Sequence, residues 1–280
     1  MAPSELLDAA VEAARACGAY LLDNYRQPKS GYEEKSPGDL VSEVDRTSQS
    51  MAREILLTRT PDAHYMAEEG EAASGGQAAG EELVWIVDPL DGTANFLHRF
   101  PAFSISIAAA RGRELLAGAV FNPVTDELFT AARGEGAALG GEPIRVSEEE
   151  DLARGLLATG WPFRRLELMD DYLDVFKRVF RRCQGMRRPG AASLDLAYTA
   201  AGRLEGYWEF GLKIWDLAAG ALIVEEAGGR VSGFAGGGEW WESGDIVATN
   251  RHVHEALLEA ADIPGGLEEL EKRAGASPTL

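Results

Sequence analysis

Apolar residues recur at alternating steps of four and three through Leu7, Val11, Ala14, Gly18, Leu21 and Tyr25. That spacing lines one face of a helix and predicts an amphipathic helix ending before Pro28. A second helix is expected after Asp45, through Met51, Ile55 and Leu56, stopping before Pro61. Between the two, Gln27 to Gly31 and Lys35 to Asp39 are rich in Gly, Pro and polar residues, which reads as a mobile loop leading into the apolar step Leu40-Val41. A short strand is expected over Ala63 to Met66. From Leu83 the period changes to β runs: Leu83 to Val87, Phe103 to Ala109, Leu115 to Phe121 and Glu127 to Thr130. Turn residues such as Arg111-Gly112-Arg113 and Asn122-Pro123 separate them, as in an antiparallel meander. Beyond Ser147 and the acid run Glu148 to Asp151, strands and helices alternate: Leu156 to Ala158, Leu168 to Phe180, Leu194 to Ala201, Gly206 to Glu209, Leu217 to Ala227 and Ile246 to Thr249. The expected organisation is an N-terminal α+β subdomain over 1–147 and a C-terminal α/β subdomain over 148–280, joined without a long linker into one catalytic unit.

Composition narrows the class. With 280 residues, 45% hydrophobic and 26% charged, the chain can build a large core and is not disordered. Its 46 acidic against 27 basic residues leave a net charge of −19, which repels phosphate backbones and anionic lipid and argues against direct nucleic-acid binding. No stretch approaches the roughly twenty apolar residues of a membrane span, and the start lacks a basic stretch followed by an apolar core, so a cytoplasmic protein is expected. The two cysteines, Cys17 and Cys183, fit a reducing compartment and offer no zinc or iron–sulfur spacing.

The chemistry concentrates in three acid clusters. In Val84-Trp85-Ile86-Val87-Asp88-Pro89-Leu90-Asp91-Gly92-Thr93-Ala94-Asn95-Phe96, a buried strand delivers two carboxylates into a Pro-stiffened turn that can aim both at one point. Asp88, Asp91 and the Leu90 carbonyl are hard oxygen donors of the kind Mg²⁺ takes. Gly92 permits a positive φ, and free amides where a helix begins at Thr93 suit a phosphate. Upstream, Glu68 follows the strand over Ala63 to Met66. Downstream, Asp216 opens the helix of Lys213-Ile214-Trp215-Asp216-Leu217-Ala218-Ala219-Gly220. Each acid taken singly also suits a turn or a helix cap; three clusters at element ends together suit a cation site.

The string Asp88 to Phe96 and the string Trp215 to Gly220, continued through Glu226-Ala227-Gly228-Gly229, resemble the two signatures of the inositol monophosphatase family. The resemblance runs from Asp39-Leu40-Val41-Ser42-Glu43-Val44-Asp45 to Ile246-Val247-Ala248-Thr249-Asn250. It is greatest to the bacterial branch that includes the SuhB-type enzymes, through Ala158 to Phe163 and Arg187 to Tyr198. The resemblance implies an α/β (α+β) chain in the layered α/β/α/β/α sugar-phosphatase fold shared with fructose-1,6-bisphosphatase. It implies two to three Mg²⁺ ions: a first held by Glu68, Asp88 and the Leu90 carbonyl, a second by Asp88, Asp91 and Asp216, and a weaker third near Glu68. Thr93 bonded to Asp45, together with Glu68, would orient the water that attacks phosphorus in line, and Lys35 matches a family lysine acting on that water or the third ion. The Gly92 and Thr93 amides would bind the phosphate, the backbone at Ala191 and Ala192 and the side chain of Asp216 would line the substrate pocket, and Glu209 would accept from substrate hydroxyls. Ala191 departs from the Ser or Thr of many relatives, which removes one hydroxyl contact. A homodimer and inhibition by Li⁺ follow from the same resemblance.

The expected activity is Mg²⁺-dependent hydrolysis of inositol 1-phosphate and related polyol or sugar phosphates. The same core also serves fructose-1,6-bisphosphate, 3′(2′),5′-bisphosphate nucleotides and histidinol phosphate; a carboxylate at Glu209 favours a polyol face over a second phosphate. A different class, a regulator bound to the transcription machinery such as RNA polymerase, has one local support, the basic run Arg181 to Arg188, which also reads as a helix end or a dimer contact. His64, His98, His252 and His254 are scattered and argue against zinc. Gly134 to Gly141 reads as a β turn, and Trp240-Trp241 as a loop anchor or interface contact.

Overall fold

A computed structural model describes residues 1–27, 31–36, 39–69 and 82–263. In chain order the elements are α1 (Pro3–Tyr25), β1 (Tyr32–Ser36), β2 (Asp39–Ser42), α2 (Glu43–Arg59), β3 (His64–Ala67), β4 (Leu83–Asp91), α3 (Thr93–His98), β5 (Ser104–Arg111), β6 (Glu114–Asn122), β7 (Glu127–Ala132), β8 (Gly136–Leu139) and β9 (Glu142–Ile144). They continue with β10 (Leu156–Thr159), α4 (Met169–Phe180), β11 (Gly185–Arg187), α5 (Ala192–Ala200), β12 (Gly206–Glu209), α6 (Ile214–Glu226), β13 (Arg230–Ser232), α7 (Trp240–Ser243), β14 (Ile246–Thr249) and α8 (His254–Ala260).

Seven strands form one sheet in the order β3-β4-β5-β6-β7-β8-β9, antiparallel from β4 onward as the meander reading expects, with β3 added in parallel at the edge. Five form a second, mixed sheet in the order β11-β10-β12-β14-β13. The segment read as a loop between the first two helices carries a separate two-stranded pair, β1 with β2. Its Gly, Pro and charged residues hid the extended backbone from a reading based on apolar alternation.

The layers follow from strand alternation. Trp85 and Val87 of β4 face a core filled by α1 and α2, while Val84 and Ile86 face the opposite core, shared with α5 and α6. In the second sheet, Tyr207 of β12 and Ile246 and Ala248 of β14 turn toward that same central core, and Trp208 and Val247 turn outward against α4 and α8. Both sheets are thus buried on both faces, and five layers, α/β/α/β/α, result.

Small residues set the spacing. The buried face of α1 is largely Ala9, Ala10, Ala13, Ala14 and Gly18, and a Cβ at Gly18 would stand 2.3 Å from the Phe121 ring of β6. α6 is buried from Asp216 to Val224, apolar all round as a helix between two sheets must be. Trp240 is buried in the central core with its ring 5.7 Å from that of Trp241, which makes the pair an anchor of α7. His254 is fully buried between the hydroxyls of Ser232 and Thr249, each 2.9 Å away, a satisfied core histidine. The glycine run after Arg133 is a turn followed by β8, and the amides of Gly134 and Gly136 donate to Glu226.

Candidate active site

The two aspartates of the first signature lie on the last residues of β4, and the strand itself solves their convergence. Residues three apart on a regular strand point to opposite faces. Between Asp88, paired with Ser106, and Asp91, paired with Ser104, β4 carries one residue more than β5. This bulge, rather than the turn expected from Pro89, rotates the strand end so that both carboxylates reach one pocket. Asp88 accepts from the Leu90 amide at 3.0 Å. Gly92 follows with φ +87, a left-handed conformation, and a Cβ there would also lie 2.9 Å from the Ala102 carbonyl.

That pocket has a volume of about 260 Å³. Glu68, just beyond β3, Asp88, Leu90, Asp91, Gly92, Thr93, Ala191, Ala192, Glu209 and Asp216 all line it. Asp45 stands one bond behind: its Oδ1 accepts from Thr93 Oγ1 at 3.0 Å, while its Oδ2 accepts the Ser42 amide at 2.8 Å and the Ser42 hydroxyl at 2.5 Å. Ser42 and Asp45 thereby form the capping box of α2, which fixes the Asp45 rotamer. Thr93 also has the Leu90 carbonyl within 3.0 Å, so its single proton has two acceptors in reach. The Lys35 side chain lies outside the described residues. A larger, open depression of about 940 Å³ at the start of β4, bordered by Met1, Arg59, Glu82 and Arg111, holds none of the predicted residues.

Asp216 is the third residue of α6, and its Oδ2 accepts the Lys213 amide at 2.8 Å, so the helix start holds the carboxylate while the rest of it faces the pocket. Burial, then the charges of Glu68, Asp91 and Asp216, pushes Asp88 well above the usual carboxylate range. Burial and then Asp216 push Asp91 up to about 7, against hydrogen bonds from Ser193 and Ala192. Burial likewise raises Asp45, opposed by the bonds from Ser42 and Thr93. Buried acids crowded in this way raise one another's pKa, and a positive charge among them would relieve the repulsion. The donor set is carboxylate and carbonyl oxygen throughout, the chemistry Mg²⁺ takes.

Glu209, at the end of β12, is buried and accepts from the Tyr207 hydroxyl at 2.5 Å. Burial pushes it up to about 8, with the Tyr207 bond and Arg188 acting in the other direction.

Several residues in and behind the pocket escaped sequence reading. Arg164 donates from Nη1 to Asp216 Oδ2 at 2.9 Å and has Nη2 3.6 Å from Glu68 Oε1. Ser193 holds Asp91 through both its amide and its hydroxyl. Asn95 reaches the carbonyls of Ala102 and Pro189 at 2.6 and 2.8 Å and so ties the first signature to the loop before α5. Arg188, in the basic run, lines the same pocket, while Arg182 of that run pairs with Glu259 on α8. Asp195 is buried with neither carboxyl oxygen hydrogen-bonded, and burial, Glu209 and Asp91 hold it far above its ordinary range. The arginine had no local signal, because nothing in Pro162-Phe163-Arg164-Arg165 says which acids it meets.

A five-layered α/β chain with acids gathered at strand and helix ends defines a class, the layered phosphatases, and comparison with known proteins places the chain within it. A profile of the inositol monophosphatase family matches residues 2–263. The chain belongs to the inositol monophosphatase family, and that membership supports phosphatase activity. It is 45% identical over 256 residues to the Nus factor SuhB of Pseudomonas aeruginosa, spanning 90% of this chain and 94% of that one. To the inositol-1-monophosphatase of Rhizobium meliloti it is 42% identical over 265 residues, spanning 94% and 98%. Among solved structures, the extragenic suppressor protein SuhB of Bartonella henselae superposes with a TM-score of 0.85 at 39% identity, covering 91% of this chain and 97% of that one. The inositol monophosphatase of Anabaena superposes at 0.81 and 38% identity, covering 91% and 94%. No helix among the described residues is long and apolar enough to cross a membrane.

Proposed function

We propose that this chain is a Mg²⁺-dependent phosphomonoesterase acting on inositol 1-phosphate and similar polyol phosphates. The observation that carries the reading is the gathering of Glu68, Asp88, Asp91 and Asp216 from β3, the β4 bulge and α6 around one small pocket beside the Thr93–Asp45 pair. Glu68, Asp88 and the Leu90 carbonyl would hold one Mg²⁺, Asp88, Asp91 and Asp216 a second, with Glu68 near a third. When bound, such ions lower the pKa of the attacking water and neutralise the phosphoryl oxygens and the leaving alkoxide, so no nucleophilic Ser or Cys is required. Committing the Thr93 proton to Asp45 leaves the lone pairs of its oxygen to accept from the water, and Glu68 accepts from the other side. The Gly92 and Thr93 amides receive the phosphate, whereas the first amides of α5 are turned toward Asp91, so Ala191 and Ala192 shape the pocket by their backbone and methyl groups. Glu209, a buried carboxyl on the pocket wall, suits the hydroxyls of a polyol. The reading includes a cytoplasmic homodimer inhibited by Li⁺ at a cation position, and family membership is its support.

The test is phosphate release from inositol 1-phosphate, fructose-1,6-bisphosphate, 3′-phosphoadenosine 5′-phosphate and histidinol phosphate, each with Mg²⁺, with EDTA and with added Li⁺. Preference for inositol 1-phosphate, lost in EDTA and inhibited by Li⁺, is expected, and E209Q should weaken turnover of that substrate selectively. Preference for another phosphate would overturn the substrate alone, and no hydrolysis would overturn the enzyme reading.

A second reading, association with the transcription machinery, is favoured by the name Nus factor SuhB carried by several relatives. Retention of RNA polymerase on the immobilised protein is its test, and no retention beside full turnover removes it.

A further inference from the structure

The pocket already contains a cation of its own. Arg164 lies in the short 3-10 segment Phe163–Leu168, its side chain only 18% exposed, and its guanidinium stands between Asp216, at 2.9 Å, and Glu68, at 3.6 Å. These two acids come from different layers: Glu68 follows β3 of the seven-stranded sheet, and Asp216 opens the helix between the sheets. A planar guanidinium with five donors is suited to bridging two carboxylates in this way. Among the described residues, no three acid, histidine or cysteine side chains are already drawn together as a metal-ligand set. Arg164 bridges two of the four acids of the pocket.

The backbone of the segment is fixed at the next residue. The next residue, Arg165, breaks the helical conformation with φ −142 and ψ 56 and pairs at 3.3 Å with buried Asp245, which also accepts the Gly211 amide at 2.8 Å. This anchor holds the chain in position. The Arg164 guanidinium lies 5.0 Å from the centre of the neighbouring Phe163 ring, an aromatic face that lines the same pocket and attracts a cation.

We propose that Arg164 is an internal counter-cation: it holds the acid cage together in the metal-free protein, and divalent cations load by displacing it. The proposal rests on the reading of Glu68 and Asp216 as Mg²⁺ ligands. Metal binding is then an exchange, weaker than the bare acids would provide by the strength of the arginine contacts.

The experiment is Mg²⁺ titration by calorimetry, without substrate, with thermal unfolding in EDTA and in saturating Mg²⁺, on wild type, R164M, R164K and R188M. R188M removes an equal charge from the same pocket and controls for the general field. R164M should bind Mg²⁺ about tenfold more tightly, the scale set by losing a charge-assisted hydrogen bond in a partly buried ion pair, and should unfold at lower temperature than wild type in EDTA but not in Mg²⁺. R164K, which keeps the charge without the fork, should fall between, and replaces R164M should that variant not fold. Unchanged Mg²⁺ affinity in the Arg164 variants, or equal tightening in R188M, would overturn the exchange while leaving the metal site standing. Absence of Mg²⁺ binding to wild type and every variant would overturn both, and is distinguished by the lack of any Mg²⁺ effect on unfolding.

Discussion

Ser193 donates both its amide, at 2.8 Å, and its hydroxyl, at 2.6 Å, to the same oxygen, Oδ2, of Asp91, a residue 102 positions earlier in the chain. The first turn of α5 therefore orients a carboxylate that belongs to the seven-stranded sheet. The Ser193 hydroxyl also meets that of Ser104 on β5 at 2.8 Å, which pins the serine rotamer. S193A keeps the amide bond and loses the hydroxyl. It should lose about 1 kcal/mol of stability and need several-fold more Mg²⁺ for half-maximal phosphate release. Chemical denaturation and a Mg²⁺ titration of activity check both, and an unchanged Mg²⁺ requirement would show that the amide alone orients Asp91.

Asp88 is 2% exposed and faces Glu68, Asp91 and Asp216. D88N should reduce turnover at least about a hundredfold, as expected for loss of a shared cation ligand. In EDTA the same variant should unfold at or above the wild-type temperature, because one of the repelling carboxyls is gone. Most activity surviving in a folded D88N protein would disprove the assignment of Asp88 to the cations.

Glu209 gives a pH dependence whose sign can be worked out. Its ordinary value of 4.5 rises to about 8 in the folded protein, first through burial. Between those values the folded state holds a proton that the unfolded state releases, so the contribution of Glu209 to stability is full below about 4.5 and is lost as pH rises toward 8. E209Q stays neutral at every pH. In EDTA its stability should match wild type near pH 4 and exceed it increasingly toward pH 8, measured by denaturant unfolding across that range. A constant gap between the two curves would refute the shift.

Gly160, at the end of β10, leaves room for Glu209: a Cβ built there would stand 2.0 Å from the Glu209 carboxyl atoms. G160A must displace that side chain, at about 1–3 kcal/mol by the usual cost of overpacking. KM for inositol 1-phosphate should rise more than kcat falls, with Mg²⁺ affinity unchanged, since the metal acids lie on other elements. A purely structural role would leave KM unmoved in the folded variant, and steady-state kinetics with calorimetric Mg²⁺ titration separate these results.

The elements of this chain are largely local information. The 4-3 spacing in α1, the two-sided burial of β4, β12 and β14, and the placement of Glu68, Asp88, Asp91 and Asp216 at element ends can each be read within a dozen residues, because periodicity states which side of an element is apolar. β11 and β13, three residues each, are too short to show a period, and β1 and β2 are short strands set among Gly, Pro and charged residues. What tertiary structure alone decided is which groups meet across the layers. Thr93 finds Asp45 over 48 residues, Arg164 finds Asp216 over 52, and Ser193 finds Asp91 over 102. A polar side chain carries no mark of its distant partner; the partner is set by how helices and sheets stack, and that stacking is driven by apolar area, which is indifferent to the acids and the arginine it brings together.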